Sequence, residues 1–164
     1  MLNMDGLPDI IVANDTVQNL LLINQPSGTF IESAATSGVA FDNSGNARGA
    51  MGIDTACFRN TDALAIAIGN FATEMTALYV SQAPGSPAPV FRDEAISNGL
   101  GPLTRTDLKF GVLFLDADLD GRVDLFENNG HLEEDIQDCS VESALRNSHL
   151  IFCGIVGRTR TVNL

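Results

Sequence analysis

Apolar residues along this chain come in short runs broken by turn formers. Asp9-Ile-Ile-Val-Ala-Asn14, Leu20-Leu-Leu-Ile-Asn-Gln25, Ala65-Ile-Ala-Ile-Gly-Asn70, Ala77-Leu-Tyr-Val-Ser-Gln82 and Asp124-Leu-Phe-Glu-Asn-Asn129 are separated by clusters of Gly, Asn, Pro and Ser. Such runs predict strands and turns. In Leu108-Lys-Phe110-Gly-Val112-Leu-Phe114-Leu the even positions are all apolar and the odd ones mixed. That period of two also predicts a strand.

The runs recur. Leu20–Gln25 is echoed by Ala77–Gln82. Thr29-Phe30-Ile-Glu-Ser-Ala34, followed by Gly38, is echoed by Val90-Phe91-Arg-Asp-Glu-Ala95, followed by Gly99. Asp9–Asn14 matches Ala65–Asn70 and Asp124–Asn129. The period is roughly 60 residues, room for a four-stranded antiparallel unit. Repeating β units at this spacing suggest propeller blades. The expectation is an all-β chain, a partial β-propeller of about two to three four-stranded antiparallel blades.

One segment carries chemistry. Asp116-Ala-Asp118-Leu-Asp120-Gly121-Arg122-Val-Asp124 sets carboxylates at alternate positions around a glycine. Crowded carboxylates repel one another, and a bound hard cation relieves this. Ca²⁺ is wrapped by a loop offering oxygens at every second position. The ligand set would be the side chains of Asp116, Asp118, Asp120 and Asp124 and the backbone carbonyl of Arg122, with Gly121 at the sharp turn.

Twelve residues from Asp116 end at Glu127, so the pattern also fits an EF-hand. An EF-hand needs a helix on each side. The period-two segment before the loop and Asn128-Asn-Gly130 after it favour strands. Glu127 then reads as a strand residue and the loop as a hairpin connection.

Two other loops align with this one. Met1-Leu-Asn3-Met-Asp5-Gly6-Leu-Pro-Asp9 keeps Asn3, Asp5, Gly6 and Asp9 but lacks the first carboxylate, predicting a weaker site. Cys57-Phe-Arg59-Asn-Thr61-Asp62-Ala-Leu-Ala65 has lost every carboxylate position, so it should hold no Ca²⁺; Arg59 is a candidate internal cation in its place.

These stretches, with Gly49-Ala-Met-Gly-Ile-Asp54, Ala67-Ile-Gly-Asn-Phe71 and Asn128-Asn-Gly-His-Leu132, resemble the FG-GAP/VCBS repeat proteins of the group related to cartilage acidic protein and the ASPIC/UnbV proteins. The resemblance covers roughly residues 3–135; Phe110-Gly111 preserves the namesake pair. It implies a propeller similar to the integrin α-subunit head, with Ca²⁺ in hairpin loops on one face. It also implies an extracellular or cell-surface role in adhesion or scaffolding through a protein or glycan ligand, without catalysis. Residues 1–135 form the repeat region on this reading, beginning inside a metal loop so that upstream blades belong to a longer parent chain. Residues 136–164 form a divergent tail. The rival readings are an EF-hand-like calcium-binding protein using Glu127 and a truncated, non-functional reading frame.

Composition narrows the picture further. The 164 residues are 45% apolar, enough for a core, and carry a formal net charge of −12. That charge opposes binding to a phosphate backbone, so nucleic acid is not an expected partner. No apolar run approaches a membrane span, and Met1-Leu-Asn-Met-Asp5 has no signal-peptide character. Asn14-Asp-Thr16 matches a glycosylation sequon. Cys57, Cys139 and Cys153 are too few and too scattered for a disulfide framework, although Cys139 and Cys153 would pair if the tail folds back. His131 and His149 have no obvious partners, and no nucleophile elbow, phosphate loop or zinc motif occurs.

Overall fold

The computed structural model describes residues 1–59, 61–130, 149–154 and 158–163, the last two segments as backbone. His131, Cys139, the His149 side chain and the Cys139–Cys153 pairing lie outside the described residues. The structure is mostly β, in three small antiparallel sheets.

The first sheet joins β1 (Ile10–Val12), β2 (Leu20–Asn24) and β3 (Phe30–Glu32). The second joins β4 (Ala50–Ala56), β5 (Ala65–Asn70), β6 (Ala77–Ser81) and β7 (Phe91–Asp93) in sequence order. The third begins with β8 (Lys109–Leu115) and β9 (Asp124–Asn129). Within the stretch expected to diverge, β10 (His149–Gly154) pairs with β9, and β11 (Arg158–Asn163) pairs with β10, extending the third sheet to four strands.

Among the described residues helix is confined to two single turns, α1 (Ala34–Ser37) and α2 (Leu100–Thr104), after β3 and β7. The turns after these two strands begin alike. Glu32 Oε1 accepts hydrogen bonds from the N–H groups of Leu21 and Ala34, and Asp93 Oδ1 accepts them from Leu78 and Ala95. In both places a carboxylate ties the strand end to its neighbour and satisfies a backbone donor that would otherwise be orphaned.

The second sheet is buried on both faces, which explains why β5 reads as a continuous apolar run. Ile66, Ile68 and Tyr79 pack with Leu21, Ile23, Val39 and Phe91 toward the first sheet. Ala65, Ala67, Leu78 and Val80 pack with Phe58, Val112 and Leu125 toward the third. Strand alternation sends neighbouring residues into different cores.

Sheets two and three approach closely along β4 and β8. A Cβ on Gly52 would lie 2.5 Å from the Phe110 carbonyl oxygen, so only glycine permits this spacing. Two residues on, Asp54 Oδ2 accepts a hydrogen bond from Phe114 N–H at 2.7 Å. The Gly49–Asp54 stretch thereby fixes the strand that leads into the acidic loop.

Candidate metal centre

Residues 116–123 connect β8 to β9, whose closing pair is Leu115 with Asp124. Strands flank the loop on both sides, so the helix pair of an EF-hand is not present. Glu127 lies in β9, fully buried, on the face it shares with Leu125 and Asn129. It belongs to the sheet interior and is not a ligand of the loop.

The loop is shaped by its own carboxylates. Asp116 Oδ1 accepts from Asp120 N–H at 3.0 Å, and its Oδ2 from Gly121 N–H at 2.9 Å. Asp124 Oδ2 accepts from Ala117 N–H across the mouth at 3.1 Å. Leu119 (φ 59°) and Gly121 (φ 82°) occupy the left-handed region and reverse the chain. Glycine suits that region, whereas leucine there is strained.

Asp116, Asp118 and Asp120 are brought together, each offering an oxygen within 4.8 Å of the others. Asp124 stands outside this cluster. Of Arg122, the structure engages the side chain. Its Nε and Nη2 donate to Asp120 Oδ2 at 2.9 and 2.6 Å, while Arg122 N–H donates to Asp120 Oδ1. The guanidinium beside Asp120, helped by that N–H, holds its carboxyl below the usual carboxylate range. Arg122 is in turn pushed up, by Asp120 first and then by Asp118 and Asp124. The donor set is all oxygen and open to solvent, which suits a hard cation such as Ca²⁺ and gives no soft ligand for zinc or copper.

The first loop has the same local geometry with fewer charges. Met4 (φ 60°) and Gly6 (φ 90°) match Leu119 and Gly121. Leu7 N–H donates to Asp5 Oδ1 as Arg122 N–H does to Asp120, and Leu2 N–H donates to Asp9 Oδ2 as Ala117 N–H does to Asp124. The Asn3 amide donates to the other Asp5 oxygen, and Asn24 N–H to the other Asp9 oxygen. Internal donors thus serve all four carboxylate oxygens of Asp5 and Asp9.

The middle loop is organised differently. Phe58 is buried and stacks on Phe114 with ring centroids 6.4 Å apart. Arg59 lies over the Phe58 ring and turns away from its own loop, donating to Glu94 Oε2 at 2.6 Å and Asn98 Oδ1 at 3.0 Å. Its guanidinium hydrogen-bonds outside the loop and to none of the loop's described residues, so it does not stand in for an ion there. Its partners lie in the turn after β7. Burial works against the Glu94 charge, but the bonds from Arg59, Gln82 and Asn98 outweigh it and lower the pKa.

A second polar site, not foreseen from the motifs, lies between sheets two and three. Lys109, Glu127 and Thr76 are fully buried there, beside Asp107 and Asn129. Its signal is the two polar residues, Glu127 and Asn129, that follow Leu125 on the inward face of β9, with Asn129 opposite the only lysine of the chain.

No protein-family model and no curated protein matches the chain. Among the described residues no helix is long and apolar enough to cross a membrane.

Proposed function

We propose that the chain is a calcium-binding β-propeller module of the FG-GAP/VCBS kind, acting in structure, adhesion or protein interaction rather than in catalysis. The observation that carries the reading is the convergence of Asp116, Asp118 and Asp120 on one hairpin loop. Three carboxylates that close repel one another, and a divalent ion binding there converts repulsion into a cross-link. The matched backbone of the first loop and the matched carboxylate bonds of Glu32 and Asp93 support a repeating blade. Asp116, Asp118, Asp120 and Asp124, with the Arg122 carbonyl, would hold the ion. Ca²⁺ would then stiffen the loop and the surface presented to a protein or glycan ligand outside the cell.

The test is thermal unfolding of the full chain, followed by circular dichroism, in EGTA and in millimolar Ca²⁺. Loops of this type bind on the order of 10⁻⁴–10⁻³ M, so millimolar Ca²⁺ should raise the melting temperature. Asp120→Ala should remove that rise while leaving the melt in EGTA nearly unchanged. A calcium-induced rise that survives Asp120→Ala would place the ion elsewhere, and no rise in the wild type would end the proposal.

A further inference from the structure

The buried polar cluster between sheets two and three holds two ionisable groups, Lys109 and Glu127, that the acidic loop does not use. Lys109 enters it from β8. Its Nζ donates to two backbone carbonyls, Glu74 O and Thr104 O, each at 2.6 Å. These belong to the β5–β6 turn and to α2, so one side chain stitches β8 to the body of the second sheet. Glu127 enters from β9, and among the described residues neither of its oxygens has a hydrogen-bond partner. The Thr76 hydroxyl and both amide atoms of Asn129 are also buried without one. An ionised carboxylate left so poorly bonded is costly.

We infer that Lys109 and Glu127 form a proton-operated clasp that controls how firmly the third sheet is held on the second. With a proton from solvent on Glu127, the neutral acid acts as a donor as well as an acceptor toward Thr76 and Asn129. The Lys109 charge then rests on its two carbonyls. Loss of that proton puts a second charge into the interface, and the clasp loosens.

The surroundings fit this behaviour. Burial raises the Glu127 pKa, to about 7, and Asp107 adds to the rise, while the nearby Thr76 hydroxyl and Lys109 pull it down. Burial lowers Lys109, to about 8, with Arg48 adding to the fall, while Glu127, Asp107 and Glu74 oppose it. Among the described residues these groups act on Lys109 and Glu127 from the segments before β4 and β8, from β9 and from the β5–β6 turn. A raised acid pKa means that the folded state holds a proton the unfolded chain has released. Stability therefore falls as pH rises from the usual glutamate value toward neutrality.

The test uses metal-free buffer, so that the loop carboxylates contribute equally to all variants. Carboxyl ¹³C NMR of the full-length wild type should show one glutamate titrating near pH 7, and its signal should vanish in Glu127→Gln. Melting temperatures of the wild type should fall between pH 5 and pH 7.5. Glu127→Gln should flatten that fall, and Glu74→Gln should leave it. If Glu127→Gln fails to fold, Lys109→Met replaces it and should move the wild-type carboxyl titration to higher pH. A Glu127 midpoint in the ordinary glutamate range overturns the clasp, as does a Glu127→Gln variant that keeps the wild-type pH slope.

Discussion

Replacing Gly52 by alanine probes the contact that carries the acidic hairpin. The added Cβ would stand 2.5 Å from Phe110 O, 2.9 Å from Val112 N and 3.2 Å from Gly111 C. All three are backbone atoms of β8, which cannot swing aside as a side chain can. Ordinary contact begins near 3.4 Å, so β8 must retreat by about 0.9 Å, the difference between 3.4 and 2.5. A gap of that size forfeits a quarter to a half of the dispersion energy across the seam. It also stretches the bond from Phe114 N–H to Asp54 Oδ2, now 2.7 Å. Overpacking of this kind costs about 1–3 kcal/mol, and a weakened hydrogen bond adds about 1 kcal/mol. We expect Gly52→Ala to lower stability by about 2–4 kcal/mol in urea denaturation at 25 °C in EGTA. Gly111→Ala is the control, because its Cβ would meet only Asn128 Cβ at 3.5 Å. Alanine there should change stability by less than about 0.5 kcal/mol, since it also restricts the unfolded chain. Equal stabilities for Gly52→Ala and wild type would refute the close apposition of β4 and β8. So would a Gly111→Ala variant damaged as much as Gly52→Ala.

Two further outcomes follow from the charged loops. Arg122 competes with a cation for Asp120, so Arg122→Gln should tighten Ca²⁺ binding in calorimetry. The gain should stay within about fivefold, because exposed ion pairs are worth little; weaker binding in the variant would contradict the competition. Asp42 accepts from Asn46 and Ser44 N–H and pairs with Arg48. Burial opposes its charge, but these donors outweigh it and hold the pKa below the usual 3.8. A depressed carboxyl pKa stabilises the fold above pH 3.8 and loses that contribution as pH falls through the folded value. Asp42→Asn should therefore be less stable than wild type at neutral pH, with the two curves converging in acid. Parallel curves would rule this out.

Features whose chemistry is local are legible in the chain. The alternating carboxylates and Gly121 announce a turn that bonds to its own backbone, and Asp116 and Asp120 do so. The period-two segment before the loop distinguishes a hairpin from an EF-hand for the same reason, because alternation is a property of neighbouring residues. Choices of partner across the fold are not legible. Arg59 pairs with Glu94, 35 residues away, because β7 ends beside the middle loop; nothing near Arg59 in sequence marks that end. Arg122 has a carboxylate two residues away, so its side chain closes on Asp120 where the pattern assigns only its carbonyl. Glu127 is the sharpest case. As the twelfth residue from Asp116 it suits a calcium ligand, yet its strand places it three residues past the closing pair, on the inward face with Leu125. A carboxylate can serve the loop or the sheet interior from that position, and the strand periodicity decides it. Once inside, Glu127 shares a buried layer with Lys109, although register sets Glu127 opposite Val112 and Lys109 opposite Asn129. The same three-residue displacement that removes Glu127 from the acidic loop makes it a buried carboxyl in the layer that also holds Lys109. If the proposed ion site and the proposed clasp both hold, calcium at the hairpin and protons at the interface act on the third sheet through the same two strands, β8 and β9.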